Sequence, residues 1–123
     1  RDNVTVTGQV EYKVLPQLYH KAAICIIPFK ENLSLIKNTN PIKLYEYLAS
    51  GKPVLSTNFS EVELDEGVVE FFQLKGLRSQ VLNIIKKNSV TDIEIRQKFA
   101  GDQSWLGRSQ DIKKQVQALN NDF

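Results

Sequence analysis

The stretch from Asn38 to Val54 holds the residues whose types and spacing could do chemistry: Asn-Thr-Asn-Pro-Ile-Lys-Leu-Tyr-Glu-Tyr-Leu-Ala-Ser-Gly-Lys-Pro-Val. It predicts a helix whose N-terminus carries free amides and roughly half a positive charge, a seat for phosphate. Lys43 and Glu46 stand at i and i+3 and share a face. Glu46 lies ~7.5 Å beyond Pro41 along the axis at the α-helical rise. That is the reach from a diphosphate to the ribose hydroxyls of one nucleotide. A carboxylate there could accept from both hydroxyls, each charged hydrogen bond contributing about 1.5–3 kcal/mol when sheltered. The spacing thus describes a nucleotide site that needs no Gly-rich loop. On spacing alone, Glu46 also reads as a solvated helix residue and Lys43 as a side chain lying along the helix. Asn38 and Thr39 also read as ordinary loop residues, and Asn40-Pro41 as a cap with no ligand role.

The elements that must position these residues follow from the pattern on either side. Val4-Thr5-Val6-Thr7 alternates as a strand closed by Gly8. Val14 to Lys21 reads as a short helix with Pro16 in its first turn. The apolar run Ala23 to Ile27, stopped by Pro28, suggests a strand buried on both faces, the habit of parallel sheets. Lys30 to Asn40 is a long connection without periodicity. Asn40 is placed to cap the central helix, with Pro41 at its first position. Ile42, Tyr45 and Ala49 share one face of it, with Leu44 and Leu48 alongside, and Gly51 stands where a left-handed C-cap would. Val54 to Thr57 is another strand and Val68 to Gln73 a fourth. Then come three helical patterns. One carries the stripe Leu77, Val81, Ile84 and Ile85. The next starts with the capping-box spacing Thr91 to Glu94, carries Ile95 and Phe99, and stops at Gly101. The last is capped by Ser104, with the inner stripe Trp105, Ile112, Val116 and Leu119. Strands alternating with helices predict an α/β domain, a Rossmann-like parallel sheet of three to four strands flanked by helices. The Lys30–Asn40 connection then falls at the carboxyl edge of the sheet, where open α/β sheets bind ligands.

Composition narrows the alternatives. The chain has 123 residues, one domain's worth, and about a third of them are Leu, Ile, Val or Phe, enough for a core. Sixteen basic residues against fourteen acidic leave a net charge of +2, scattered along the chain, which argues against nucleic acid and against an anionic membrane. One cysteine, Cys25, excludes an internal disulfide and reads as a small apolar core residue. One histidine, His20, at the end of a short helix, gives little support to a metal site. Lys86-Lys87 and Lys113-Lys114 read as solvated helix faces. The longest apolar run, Ala22 to Ile27, is far short of a membrane span. The chain opens at Arg1, which suggests a piece of a longer cytosolic protein.

The run Pro-x-Lys-Leu-x-Glu-Tyr-Leu-Ala-x-Gly-Lys-Pro-Val, from Pro41 to Val54, resembles the donor-site helix of GT-B glycosyltransferases, in the large retaining "glycosyl transferases group 1" type that includes bacterial cell-envelope enzymes. Asn3-Val4 to Gly8, Leu15-Pro16-x-Leu18-Tyr19, the strand ending at Pro28-Phe29 and Ser104-Trp105-x-x-Arg108 match the same group in order. The resemblance implies that residues 1–123 are one domain, the distal part of a carboxyl-terminal donor-binding domain with its last helices. It implies that Glu46 holds the ribose, that amides around Thr39, Asn40, Pro41 and Ile42 meet the diphosphate with Lys43, and that Gly8, Gln9 and Val10 flank the base. The group often has a second glutamate where this chain has Asn38, an amide able to bond sugar hydroxyls without a charge. The implied donor is a UDP- or GDP-sugar with no metal, and the implied acceptor is a glycan or lipid-linked glycan. That acceptor would be held by an amino-terminal domain missing from this chain, so the chain alone is expected to be inactive. The implied setting is cytoplasmic, at the inner membrane surface through the full-length protein. The same helix would serve a nucleotide-sugar epimerase, and a non-catalytic α/β interaction module is the alternative of another class. An unpaired Val4–Thr7 edge would invite self-association.

Overall fold

The structure, a computed structural model, describes residues 2–29, 39–58, 68–73 and 75–121. A 3-10 turn, Tyr12–Val14, leads into α1, Leu15–Lys21. Then follow β1, Cys25–Ile27; α2, Ile42–Ala49; β2, Val54–Ser56; and β3, Glu70–Phe71. Three helices complete the chain: α3, Leu77–Lys87; α4, Val90–Asp102; and α5, Trp105–Asn121. The strands form a parallel sheet in the order β1-β2-β3, with Cys25 beside Val54, Ile26 beside Leu55 and Leu55 beside Glu70. This is the α/β class with a parallel sheet flanked by helices that the alternation predicts. Among the described residues no helix is long and apolar enough to cross a membrane.

The core lies where α2 crosses the sheet. Leu44 and Leu48, one helical turn apart, are buried against Ile27, Val54, Val68 and Val69, and Ala100 of α4 closes the cluster. Only the central strand β2 is buried at every position. In β1, Cys25 and Ile27 are buried, but Ile26 remains 45% exposed. The two-face burial predicted for the Ala23–Ile27 run therefore belongs to β2, because β1 sits at the edge of the sheet and its second face is incompletely covered. Cys25 packs as predicted, and burial pushes its thiol up to about 11.

Several boundaries differ from the expectations. Val4 to Thr7 forms no strand, and Val4 and Val6 are 63% and 89% exposed. β-branched residues make a strand only where another strand completes the ladder and a surface covers one face. Among the described residues neither is present at this segment, which stands unpaired. The capping box exists two residues earlier than predicted. Ser89 Oγ accepts from the Asp92 amide at 3.2 Å, while Asp92 Oδ2 accepts from the Ser89 amide at 2.9 Å. The helix it starts runs through Gly101 to Asp102. It buries Arg96 and Ala100, whereas Ile95 is exposed. Ser104 does cap α5, accepting from the Gly107 amide at 3.2 Å. However, Trp105, Ile112, Val116 and Leu119 are all exposed, because no described element lies over that stripe. The α3 stripe is likewise only partly covered. Of the Lys30–Asn40 connection, residues 30–38 lie outside the described residues.

Candidate functional site

The site is built on α2. Its Leu44–Leu48 side faces the core, so Ile42, Tyr45, Glu46 and Ala49 emerge on the opposite side at i, i+3, i+4 and i+7. They form one wall of a groove of about 650 Å³. Tyr12, Leu15 and Tyr19 supply the facing wall, and Trp105 and Arg108 of α5 stand at one end. The Arg108 guanidinium lies over the Tyr45 ring, 5.9 Å from its centre.

The first turn of α2 differs from the expected cap by one residue. Pro41, with φ −75° and ψ 122°, is itself the N-cap residue, and its ring makes no cap hydrogen bond. Asn40 does not cap because its Oδ1 accepts from the Tyr45 hydroxyl at 2.7 Å. The Leu44 amide turns back to the Pro41 carbonyl at 3.0 Å. The amides of Ile42 and Lys43 thus lead the helix with no cap bond from the N-cap residue, and Ile42 is 75% exposed beside them.

Glu46 sits in the groove wall with its side chain 16% exposed. Its Oε2 accepts from Lys43 Nζ at 2.8 Å and from the Tyr19 hydroxyl at 2.9 Å, and Lys43 Nζ is 3.1 Å from that hydroxyl. Its Oε1 takes none of these bonds. The Glu46 carboxylate, and then the Tyr19 oxygen, hold the Lys43 ammonium above its ordinary pKa. Burial, chiefly, pushes the Tyr19 phenol up, with Lys43 opposing and Glu46 reinforcing. A half-exposed i, i+3 ion pair alone contributes only about 0.3–0.5 kcal/mol. Tyr19 adds a donor from another element, and its ring is fixed edge-on against Tyr47 at 5.0 Å.

Of the residues singled out in the sequence, Asn40, Ile42 and Glu46 line this groove. Pro41 begins the helix and Lys43 pairs with Glu46. Thr39 is half-buried just ahead of Asn40 and does not line the groove. Gly8 (φ +65°), Gln9 and Val10 are not in its walls either, and Asn38 lies outside the described residues. Sequence reasoning missed Tyr19, Tyr12 and the Tyr45–Arg108 pair. For Tyr19 a signal existed, a hydroxyl on an otherwise apolar helical stripe. His20 reaches the groove from the end of α1, exposed as expected. Among the described residues no group of three His, Cys, Asp or Glu side chains is placed to hold a metal ion.

The far end of α2 is anchored. Gly51, at φ +74°, donates its amide to Leu48 O at 2.9 Å and completes the predicted C-cap. Its carbonyl accepts from Nε and Nη2 of the buried Arg96, at 3.1 and 3.0 Å, and Asn88 Oδ1 accepts a further Nη2 bond. A side chain at Gly51 would begin 2.7 Å from Ile93 Cγ2. The site helix is thus held at its C-terminal end by α4, while its N-terminal end and Glu46 remain at an open groove.

Comparison with known proteins gives this arrangement a family. The profile of glycosyl transferases group 1 matches residues 1–76, which include α1, the sheet and α2. A stretch of 56 residues is 39% identical to a Bacillus subtilis (strain 168) protein, TuaH, whose name assigns it to glycosyl transfer in teichuronic acid biosynthesis. The match covers 46% of this chain and 14% of that relative, so the chain corresponds to a small part of its length. No solved structure matches significantly. Most of the chain, including the helix that carries Glu46, falls within one profile, and the chain belongs to the glycosyl transferases group 1 family.

Proposed function

We propose that the chain is the donor-binding part of a glycosyltransferase, taking a UDP- or GDP-linked sugar. The observation that carries this reading is the pairing, on one helix, of a first turn that its N-cap Pro41 leaves uncapped and a groove-facing Glu46. The free amides suit the diphosphate, and Glu46 Oε1 suits the ribose hydroxyls. As the glycosidic bond breaks, negative charge grows on the diphosphate, and helix amides fixed in advance stabilise it without reorganising. Nothing in this step needs a metal. The chain forms one domain, the distal part of a larger donor domain. The acceptor, a glycan or lipid-linked glycan, is held elsewhere in the full-length protein. The name of the Bacillus subtilis relative favours transfer over epimerisation and supports a role in envelope polysaccharide synthesis.

Titration calorimetry of the chain with UDP and GDP tests the reading. One of the two should bind weakly, and Glu46→Ala should lower its affinity about tenfold. Binding that is indifferent to Glu46, or no heat with either nucleotide, overturns it. Product analysis with the full-length protein distinguishes a transferase from an epimerase.

A further inference from the structure

The geometry points to Tyr19 as a positioning residue that turns Glu46 toward the nucleotide ribose. The inference rests on the donor-site reading and adds a residue from a different element to it. A lysine ammonium has donors only, so the 3.1 Å contact between Lys43 Nζ and the Tyr19 oxygen has a fixed sense, with Lys43 donating. The Tyr19 oxygen then sends its single proton to the carboxylate oxygen 2.9 Å away. The result is a directed relay from Lys43 through Tyr19 to Glu46, in parallel with the direct Lys43–Glu46 bond of 2.8 Å. Both paths end on Oε2. One carboxylate oxygen is occupied from inside the protein; among the described residues the other, Oε1, takes no bond, which leaves its lone pairs for a ligand.

Tyr19 fixes that orientation, and Lys43 does not. Lys43 rides on the same helix as Glu46, is half exposed, and has a flexible stem whose order is entropically costly. Tyr19 comes from α1 and has two side-chain torsions. Its ring stands 84° to that of Tyr47 in an edge contact, and its hydroxyl contact with Glu46 is half-buried. The ring thus carries the packing between α1 and α2, whereas the hydroxyl carries the carboxylate geometry. Chemistry separates the two roles, because phenylalanine keeps the first and deletes the second.

The test is calorimetry of the chain with whichever of UDP and GDP binds, and with the 2′,3′-dideoxy analogue of the same nucleotide. Tyr19→Phe should lower affinity for the natural nucleotide about fivefold to tenfold. It should leave affinity for the dideoxy analogue unchanged, and have no further effect in a Glu46→Ala background. Tyr19→Leu should lower both the melting temperature and the affinity, and Phe at the same position should restore only the melting temperature. Equal losses for both ligands, an undiminished loss in the Glu46→Ala background, or no loss at all would overturn the positioning role while the donor site stands. Wild-type chain that binds neither nucleotide, or binding insensitive to Glu46→Ala, overturns the donor-site reading and the role of Tyr19 with it.

Discussion

The two ends of α2 are built on opposite principles. At its C-terminal end the backbone is tied down: Gly51 folds back to Leu48, Gln97 donates to the Ala49 carbonyl, and the Gly51 carbonyl takes two bonds from Arg96. Ile93 stands so close that only hydrogen fits at the Gly51 α-carbon. At the N-terminal end the N-cap Pro41 makes no cap bond, Ile42 is largely exposed, and the adjacent Asn40 is bonded to Tyr45. The difference separates labour along one short helix. Stability is concentrated at the C-terminal end, which leaves the leading amides of the other end available for the anion site proposed there.

The sharpest attack on this contrast is Gly51→Ala. It forces a side chain into left-handed backbone and against Ile93, and should cost about 3 kcal/mol in urea unfolding. A loss below about 1 kcal/mol would mean that the anchored end yields easily. Next comes Arg96→Leu, which strips the Gly51 carbonyl of both donors. Burial already pushes the Arg96 guanidinium below its usual range, so part of the loss is offset, leaving about 1.5 kcal/mol. The capping box at the start of α4 should contribute less, with Ser89→Ala costing about 1 kcal/mol at neutral pH. The Ser89 amide and then its hydroxyl hold the Asp92 carboxyl below its ordinary pKa. A depressed folded-state pKa gives stability that is present above the unfolded value and is lost as pH falls through the folded value. The stability gap between the wild type and Asp92→Asn should therefore close with acidification through the carboxylate range. At the open end, Ile42→Ala should change stability by no more than about 0.5 kcal/mol. A larger effect would show that this end is also anchored.

What could be read in the sequence was local. The continuous apolar runs located β1 and β2, and Gly51 followed by Pro53 marked the end of α2. Caps fell one or two residues from where they were expected, at Pro41 instead of Asn40 and at Ser89 instead of Thr91. Periodicity cannot choose between neighbouring caps, and the choice fell to a local side-chain bond between Tyr45 and Asn40 and to the reciprocal Ser89–Asp92 pair. Val4 to Thr7 and the α5 stripe have the right pattern but no described surface against them, and pattern reports only the readiness to pack. The Glu46 position was legible because helix rise is fixed. Its partner Tyr19, 27 residues away in the chain, was not, since only the docking of α1 on α2 brings the two together.

The single thiol in the sequence makes the molecule its own opening gauge. Cys25 lies 6% exposed in the edge strand with its ionisation suppressed until about pH 11, so alkylating reagents at neutral pH find neither access nor thiolate. Labelling therefore waits for the packing over Cys25 to open, and its rate clocks that local opening.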